Sequence, residues 1–321
     1  LARGWAAVSL IFKKYPTMKS PKLLTLAASA ALISSASAIV TIDYVTVGNA
    51  GNAADTTGYG AVSYAYQIGK YEVTNAQYGE FLNAKAATDS YGLYNSGMAS
   101  YGIAQIGDPG SFSYSVTSGY ENRPVTSVSW FDVARFANWM NNGQGAGSTE
   151  TGSYTLNGAI SGIISSNPGA VIRLPTEHEW YKAAYYNPNT TAYSLFASGS
   201  SAGISSTQAN FDPFWHTEDR VHYVGDTTDV GSYSSTPSAY GTYDQGGNVS
   251  EWNDGENGLG RGVRGGSWDD PQYTLASDYY VYSNPDWETQ QLGFRLAMVI
   301  PEPSTSFLTV IGVSILFCRR R

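Results

Sequence analysis

The chain has 321 residues, with 26 Asp and Glu against 18 Lys and Arg, and a net charge of −8 at pH 7. Within residues 39–300 the imbalance grows to 25 acidic against 10 basic residues, a net of −15. So acidic a surface argues against nucleic acid or an anionic membrane as partner, because both are bound through Lys and Arg.

The first predicted element is a secretory signal peptide at residues 18–38. It has two lysines near its start, an apolar run over residues 23–33 and Ala-Ser-Ala at residues 36–38. A basic start, a short apolar stretch and a small-x-small cleavage site are typical of export signals when they occur in this order. We interpret residues 1–17 as an over-extended gene start, and we expect one folded domain over residues 39–300.

Three short helices are predicted within that domain, each opened by a capping box. The capping pairs are Thr74 with Gln77, Ser129 with Asp132, and Thr176 with Glu179. Behind the second pair, Val133, Phe136, Ala137 and Met140 recur at the spacing of one helix face. The third helix is expected to end near Asn187.

The predicted strands are short, and the loops between them are long. Strands are expected at residues 40–47, 64–69, 170–174, 263–264 and 294–300. The chain has 35 Gly and 25 Tyr but only 14% charged residues, against roughly 25% in average domains, which indicates many loops and aromatic contacts. Segments 86–122, 141–170 and 188–243 exceed ordinary connections, so we expect them to be functional or tied down by ions and packing.

The end of the chain predicts a sorting signal. Residues 301–303 read Pro-Glu-Pro and precede an apolar run over residues 307–318 and three arginines. Such a run rises about 18 Å as a helix, short of the ~30 Å hydrocarbon core of a bilayer. This arrangement resembles the PEP-CTERM tail, which implies an exosortase partner, transient membrane anchoring and delivery to the surface or extracellular matrix of a Gram-negative bacterium. The only cysteine, Cys318, lies in this tail, so residues 39–300 contain no thiol.

Six strings occur in order along residues 66–298. They are YEVTN at 71–75, RPVTSVSW at 123–130, RLPTEHEW at 173–180, GNVSEW at 247–252, RGGSW at 264–268 and GFRLA at 293–297. Together they resemble the signature of the formylglycine-generating enzyme, or sulfatase-modifying factor, family. The resemblance implies an α+β fold, the formylglycine-generating-enzyme variant of the C-type-lectin-like fold, with short antiparallel strands, few helices and extensive ordered loops.

The resemblance fails at the catalytic positions. Enzymes of this family bind copper through two cysteines just after the Gly-Gly-Ser-aromatic string, because soft thiolates suit Cu(I). The two positions here are Asp270, a hard oxygen ligand, and Leu275, which is no ligand. We therefore expect neither copper nor formylglycine-generating activity, and no catalytic residue is assigned.

A structural calcium ion is implied by the same resemblance. Carried over position by position, its ligands are the side chains of Asp244 and Glu251 and the carbonyl oxygens of Gly247 and Val249. Calcium takes about six to eight oxygen ligands, so carbonyls and water would complete the set. The alternative for Glu251 is an ion pair with an arginine such as Arg264.

A binding surface is the third prediction. Aromatic and polar side chains lie where the substrate cleft of the family's enzymes would be lined: Trp268, Asp270, Tyr273, Tyr279 and Tyr280. Rigid amphipathic rings beside carboxylates suit sugars or extended peptides. The alternative is that these rings only pack on neighbouring loops, and we expect Arg264 and Arg295 to tie core loops to buried carboxylates.

Other candidate sites are weaker. A second calcium site of the family would begin near Asn210, but its acidic ligand does not align. His216 and His222 share one loop with several carboxylates without helical or strand spacing, which favours a solvated loop over a metal site. The adjacent Asp269 and Asp270 do not suit a glycosidase pair, because neighbouring residues rarely face one cleft.

The sequence therefore predicts an exported, non-catalytic, calcium-stabilised domain that binds a polysaccharide or protein ligand. It would touch the membrane only through its tail, before processing. The alternative hypothesis is an oxidoreductase or other enzyme on the same scaffold, with an oxygen-ligated metal at Asp270. A purely structural matrix protein is the third possibility.

Overall fold

Each helix begins where a hydroxyl side chain accepts a hydrogen bond from the backbone of the first turn. The computed structural model describes residues 39–213 and 224–300. Within these ranges α1 spans Asn75–Lys85, α2 spans Trp130–Asn141 and α3 spans Glu177–Tyr185. Reciprocal capping boxes open all three, including the one closed by Asp132, so the predicted helix starts are confirmed. The third helix ends at Tyr185, slightly before the expected Asn187, because Tyr186 adopts extended backbone.

Twelve short strands in the described ranges form two four-stranded and two two-stranded sheets. Their bounds are β1 Tyr44–Val47, β2 Tyr66–Gly69, β3 Ile103–Ile106, β4 Ser113–Val116, β5 Ile172–Arg173, β6 Tyr186–Asn187, β7 Ala192–Tyr193, β8 Ser250–Glu256, β9 Arg261–Arg264, β10 Val281–Ser283, β11 Leu292–Phe294 and β12 Ala297–Val299. This is the predicted α+β class.

The sheets bring distant parts of the chain together. The first has the order β1-β2-β12-β5, so the earliest and latest strands of the described ranges both flank β2. The second has the order β10-β9-β8-β11. Almost all pairs are antiparallel, as expected, and the exception is β11, which runs parallel to β8 with Gly293 opposite Glu251.

The main core lies where α1 and α2 meet the second sheet. Phe81 of α1 contacts Phe136 and Trp139 of α2, with ring centroids 5.3 Å apart in both pairs. Phe136 in turn lies edge-on to Phe294 of β11, at 5.4 Å. Such aromatic pairs contribute roughly 0.5–1.5 kcal/mol each beyond the area that they bury. The predicted apolar face of α2 therefore anchors the sheet that carries the candidate site.

The long loops are fixed by side chains that bond to backbone. Asn138 of α2 donates to the carbonyls of Thr149 and Tyr154, at 2.7 and 3.0 Å, and accepts from the Tyr154 amide. The segment 86–122, expected to be loop, contains the hairpin β3-β4, whose four-residue strands are too short for periodicity to reveal.

Several predictions concern residues outside the described ranges. These are the signal peptide at 18–38, the sorting tail at 301–321 with Cys318, and the loop with His216 and His222. Within the described ranges, none of the helices combines the length and apolar character needed to cross a bilayer.

Candidate functional site

The site begins at the end of β9, where two glycines redirect the chain. Gly265 and Gly266 both adopt positive φ, at +98° and +66°. A Cβ on Gly266 would overlap the Thr274 hydroxyl and lie 2.8 Å from Leu275 Cδ1. Only glycine fits there, because both the backbone region and the space exclude a side chain.

Asp270 follows this turn and closes it. Its Oδ2 accepts hydrogen bonds from the Ser267 amide and hydroxyl, at 2.9 and 2.6 Å. The Asp270 amide donates back to the Ser267 carbonyl at 3.1 Å. Oδ2 of Asp270 thus stabilises the turn through these hydrogen bonds, as is usual for Asp in a tight turn.

Leu275, at the second position compared with the family's cysteines, is part of an apolar core. It is 0% exposed and belongs to a cluster with Phe196, Ile204, Phe211 and Ala276. A leucine cannot ligate a metal, and its neighbours offer no ligand either. At these two positions the structure therefore has an apolar side chain in a core and a carboxylate in a turn.

Beside Asp270 lies a cleft with a volume of 230 Å³, which we call the first cleft. It is lined by Arg264, Gly266, Asp270, Tyr279, Trp287 and Gln291, among others. Trp287 is 55% exposed and was not among the predicted residues. The only sequence signal for it is a tryptophan in a polar loop after Asn284-Pro285, which periodicity does not detect.

The five residues predicted to bind ligand occupy different environments. Asp270 and Tyr279 line the first cleft. Tyr273 and Tyr280 are about half exposed but lie outside that lining. Trp268 is only 6% exposed and packs against Tyr101, with centroids 6.3 Å apart. For Trp268 the geometry matches the packing alternative, since its ring faces protein on most sides.

Arg264 holds the wall of the cleft together. Its Nε pairs with Glu177, and its Nη1 donates to the carbonyls of Ser277 and Tyr279 at 2.9 and 2.8 Å. The guanidinium also lies 4.8 Å from the ring centroid of Tyr59. The arginine ties three segments to one buried carboxylate, as expected, and its partner is Glu177 rather than Glu251.

Glu251 lies in β8 and is fully engaged by protein donors. Its Oε1 accepts from Arg295 Nη2 at 2.6 Å, and its Oε2 accepts from Arg295 Nε and Trp180 Nε1, both at 2.7 Å. Glu251 thus forms an ion pair, as the alternative interpretation predicts, but its partner is Arg295 and not Arg264.

Asp244, Glu251 and an additional carboxylate, Glu72, surround Arg295. Burial and the charge of Asp244 raise the pKa of Glu72 well above its usual range. Burial raises the pKa of Asp244 to about 6, although the Gly231 amide donates to its Oδ2. Glu72 Oε2 has no hydrogen-bond partner. The raised pKa values mean that Glu72 and Asp244 keep their protons to higher pH than exposed carboxyl groups do, which limits the negative charge facing Arg295.

Any metal site here would depend on backbone oxygens. In the described ranges, no group of three or more His, Cys, Asp or Glu side chains is arranged to hold a metal ion. The predicted calcium ligands are two carboxylates and two backbone carbonyls, so they contain fewer than three such side chains. Glu72 lies in the string at 71–75, where no local pattern distinguishes it as a site residue.

Around Asn210, where a second calcium site was considered, the amide group makes ordinary protein contacts. Its Nδ2 donates to the Asp226 carbonyl at 2.9 Å and to Asn248 Oδ1 at 3.3 Å. Asp226 itself pairs with Arg123 at 2.6 Å.

Comparison with known proteins connects this geometry to one family. Residues 45–300 match the sulfatase-modifying factor enzyme 1-like domain. Among solved structures, CarF is 25% identical, with a TM-score of 0.57, and the match covers 82% of this chain and 100% of CarF. Variable protein 1 of Treponema denticola is 20% identical, with a TM-score of 0.53 over 81% and 96% of the two chains, and shares the fold. The fold is the predicted variant of the C-type-lectin-like fold.

Among curated proteins, the chain is similar to the serine/threonine-protein kinase pkn1 of Chlamydia caviae. The two are 25% identical over 202 residues, which is 57% of this chain and 25% of that protein. The pkn1 of Chlamydia pneumoniae is similar at 26% identity over the same coverage. The chain thus spans about a quarter of the length of these relatives.

Proposed function

The chain belongs to the sulfatase-modifying factor enzyme 1-like domain family, and from this premise we propose that its domain binds a ligand and does not oxidise cysteine. One observation carries the proposal. At the two positions of the family's cysteine pair, Leu275 is sealed in an apolar core while Asp270 lines an accessible cleft. The cleft is retained without the thiolates that Cu(I) requires.

The first cleft suits a glycan or an extended peptide. Trp287 and Tyr279 provide rings in its lining, and Asp270 and Gln291 provide an acceptor and an amide there. Rings with few rotatable bonds lose little conformational entropy on binding, and polar groups between them orient the ligand. The hydrogen bonds from Ser267 and the packing of Leu275 hold this surface rigid.

We place the domain outside the cell, on the surface or in the matrix of a Gram-negative bacterium. The support is in the sequence: an export signal at 18–38 and a sorting tail at 301–321 that an exosortase-type enzyme would process. The membrane would be touched only through the tail, before processing. A domain of net charge −15 over residues 39–300 suits an extracellular role without nucleic-acid partners.

Calcium is the proposed structural ion. The side chain of Asp244 and the carbonyls of Gly247 and Val249 would hold it. Glu251, the fourth position, already accepts from Arg295 and Trp180, so it would contribute only a remaining lone pair. The unpartnered Glu72 oxygen supports a cation here, because it is a buried acceptor that no protein donor satisfies. When bound, calcium would supply positive charge and tie the loop at 244–249 to β8.

The binding proposal is tested on the full chain with a glycan and peptide array, followed by titration calorimetry of each hit. We expect saturable binding that weakens at least about tenfold in Trp287→Ala, since a central aromatic contact contributes on the order of 1–2 kcal/mol or more. The control is Ile106→Ala, a residue that is 55% exposed outside the cleft. Absence of any saturable hit would instead favour a structural matrix protein.

Catalysis is tested in parallel with a Cys-x-Pro-x-Arg peptide, copper and oxygen. We expect the peptide mass to stay unchanged. Formation of formylglycine, detected by mass spectrometry, would overturn the non-catalytic assignment.

The calcium proposal is tested by thermal unfolding in calcium and in chelator. We expect calcium to raise the Tm of the wild type and to have little effect on Asp244→Asn. Asp108→Asn, at an exposed position remote from this cluster in sequence, is the matched control. Equal Tm values of the wild type in calcium and in chelator would contradict the proposal that calcium stabilises the domain.

A further inference from the structure

A second cleft lies across segment 285–289 from the first. Asp286 and Glu288 line this second cleft, whereas Trp287 and Thr289 line the first. Neighbouring side chains of this short segment thus line different clefts, starting from the turn at Pro285 and Asp286. The second cleft has a volume of 480 Å³, within the range of about 300–1,000 Å³ that is usual for small-molecule sites.

Its floor is a buried carboxyl group at the start of α2. Asp132 is 2% exposed, and its Oδ2 accepts from the Ser129 amide and hydroxyl at 2.8 and 2.6 Å. The Asp132 carboxyl group also lies within side-chain hydrogen-bonding distance of Glu288. Glu288 is near enough for its charge to raise the pKa of Asp132, and Asn95 donates to Glu288 Oε2. The carboxyl groups of Asp132 and Glu288 are therefore buried and half-buried, respectively, and protein contacts hold both in place.

The wall of the cleft contributes a cationic donor. Arg135 of α2 is 0% exposed; its Nε donates to Glu150 at 2.8 Å and its Nη2 donates to the Ala159 carbonyl at 2.9 Å. Its Nη1 has no partner among the described residues. A buried donor without an acceptor costs about 1–3 kcal/mol, so a ligand oxygen that reaches Nη1 would be stabilising. Arg135 is covered in the free protein, so this contact requires a shift of the side chains over it, among them the Tyr91 ring.

Aromatic rings complete the lining. Tyr91 is 37% exposed and stacks on the Arg135 guanidinium, 4.2 Å from its ring centroid. Tyr94 and Phe131 line the same space. Their backs are fixed by other rings, Tyr114 at 5.4 Å from Tyr94 and Trp130 at 5.3 Å from Phe131. Phe131 is buried, so Tyr91 and Tyr94 supply the exposed part of this aromatic platform beside the polar groups.

This combination selects among ligand classes. A metal ion is disfavoured, because Arg135 places a positive charge in the same lining as the carboxyl groups. A bare ammonium ion would leave Arg135 Nη1 without an acceptor and place two cations side by side. Phosphate and acidic sugars would meet the carboxyl groups of Asp132, Asp286 and Glu288. A sugar hydroxyl can donate to a carboxylate and accept from an arginine at once.

We propose that the second cleft binds a neutral saccharide, whose ring stacks on the aromatic platform and whose hydroxyls bridge the carboxyl groups and Arg135. This site is separate from the first cleft, and each of the two proposals can fail without the other. No covalent step is involved.

The test uses the full chain and titration calorimetry with cellohexaose, maltohexaose, mannohexaose and hexagalacturonic acid. We expect at least one of the three neutral sugars to bind, the acidic sugar not to bind, and Asp286→Asn or Tyr91→Ala to weaken binding at least tenfold. Asp286 is exposed and makes no hydrogen bond that the fold requires, so Asp286→Asn should fold normally. Asp108→Asn, which removes an exposed carboxylate elsewhere, should bind like the wild type.

Three results would overturn the proposal. The first is that none of the neutral hexasaccharides binds. The second is that hexagalacturonic acid binds as tightly as the best neutral sugar. The third is binding that survives Asp286→Asn and Tyr91→Ala but fails in Trp287→Ala, because that pattern would assign the saccharide to the first cleft.

Discussion

Arg295 and Glu251 form a bidentate ion pair in which both side chains are 0% exposed, with N–O distances of 2.7 and 2.6 Å. Arg295 lies between β11 and β12, and Glu251 lies in β8, so the pair joins the two four-stranded sheets. The arginine also donates to the Gly69 and Tyr243 carbonyls, at 3.0 and 2.8 Å. One guanidinium therefore fixes the positions of four segments.

Removing this arginine should strongly destabilise the domain. We expect Arg295→Met to lower the free energy of unfolding by about 3–5 kcal/mol, because Glu251 is left buried without its partner. Urea denaturation measures the loss. The control is Glu256→Gln, where a 51% exposed side chain pairs with Arg261 at 3.5 Å and a change within about 1 kcal/mol is expected. Similar losses of unfolding free energy in both variants would show that the contribution of an ion pair does not depend on its burial.

Leu275 should behave as a core residue. We expect Leu275→Ala to cost about 2–5 kcal/mol of unfolding free energy, the range for buried leucines that leave a cavity. Leu259→Ala provides the matched control, since Leu259 is 88% exposed and should change stability by less than about 0.5 kcal/mol. A small effect at Leu275 would mean that the position is not sealed, and would weaken the argument that it belongs to an apolar core.

The glycine turn before Asp270 can be tested by comparing two alanine variants. Gly266 and Gly258 both have positive φ, at +66° and +92°, but a Cβ on Gly258 would meet nothing within 4 Å. We expect Gly258→Ala to cost only the backbone strain, about 1–2 kcal/mol. Gly266→Ala should cost clearly more, because its Cβ would overlap Thr274. Equal thermal shifts for the two variants would contradict the steric argument.

Stability should fall as pH rises from 5 to 8. Burial, assisted by the charge of Glu288, raises the pKa of Asp132 to about 7, while Ser129 and Arg135 oppose the shift. The unfolded chain releases this proton near pH 4. The stabilisation from Asp132 is therefore fully present below about pH 4 and is lost as pH rises through about 7.

The variant Asp132→Asn should flatten this pH dependence. Asparagine keeps an acceptor for the Ser129 cap but does not titrate. Urea denaturation at pH 5 and pH 8 should show a loss on the order of 2 kcal/mol in the wild type that is reduced in the variant. Asp254, whose pKa burial raises to about 6, stays in both proteins and contributes the same slope to each. Identical slopes in the two proteins would exclude Asp132 as the titrating group.

Local sequence patterns predicted the helices because their determinants are local. A capping box involves residues three apart, so Thr74, Ser129 and Thr176 marked the helix starts directly. Strands such as β3 and β5 have only two to four residues, too few for periodicity to mark their ends, and β5 pairs with the distant β12.

The candidate site was only partly visible for the same reason. Asp270 and Leu275 could be located by counting along one motif. Trp287 and Glu72 could not, because each reaches its site through chain segments far away in sequence.

By itself, the sequence determined the family, the helix starts and the absence of any thiol from residues 39–300. Those properties depend on residue identity and short spacing. Only the tertiary structure decided that Glu251 pairs with Arg295, that Trp268 is packed, and that Asp286 and Trp287 face different clefts. Such contacts depend on the packing of segments tens to hundreds of residues apart, and that packing is set by the whole core.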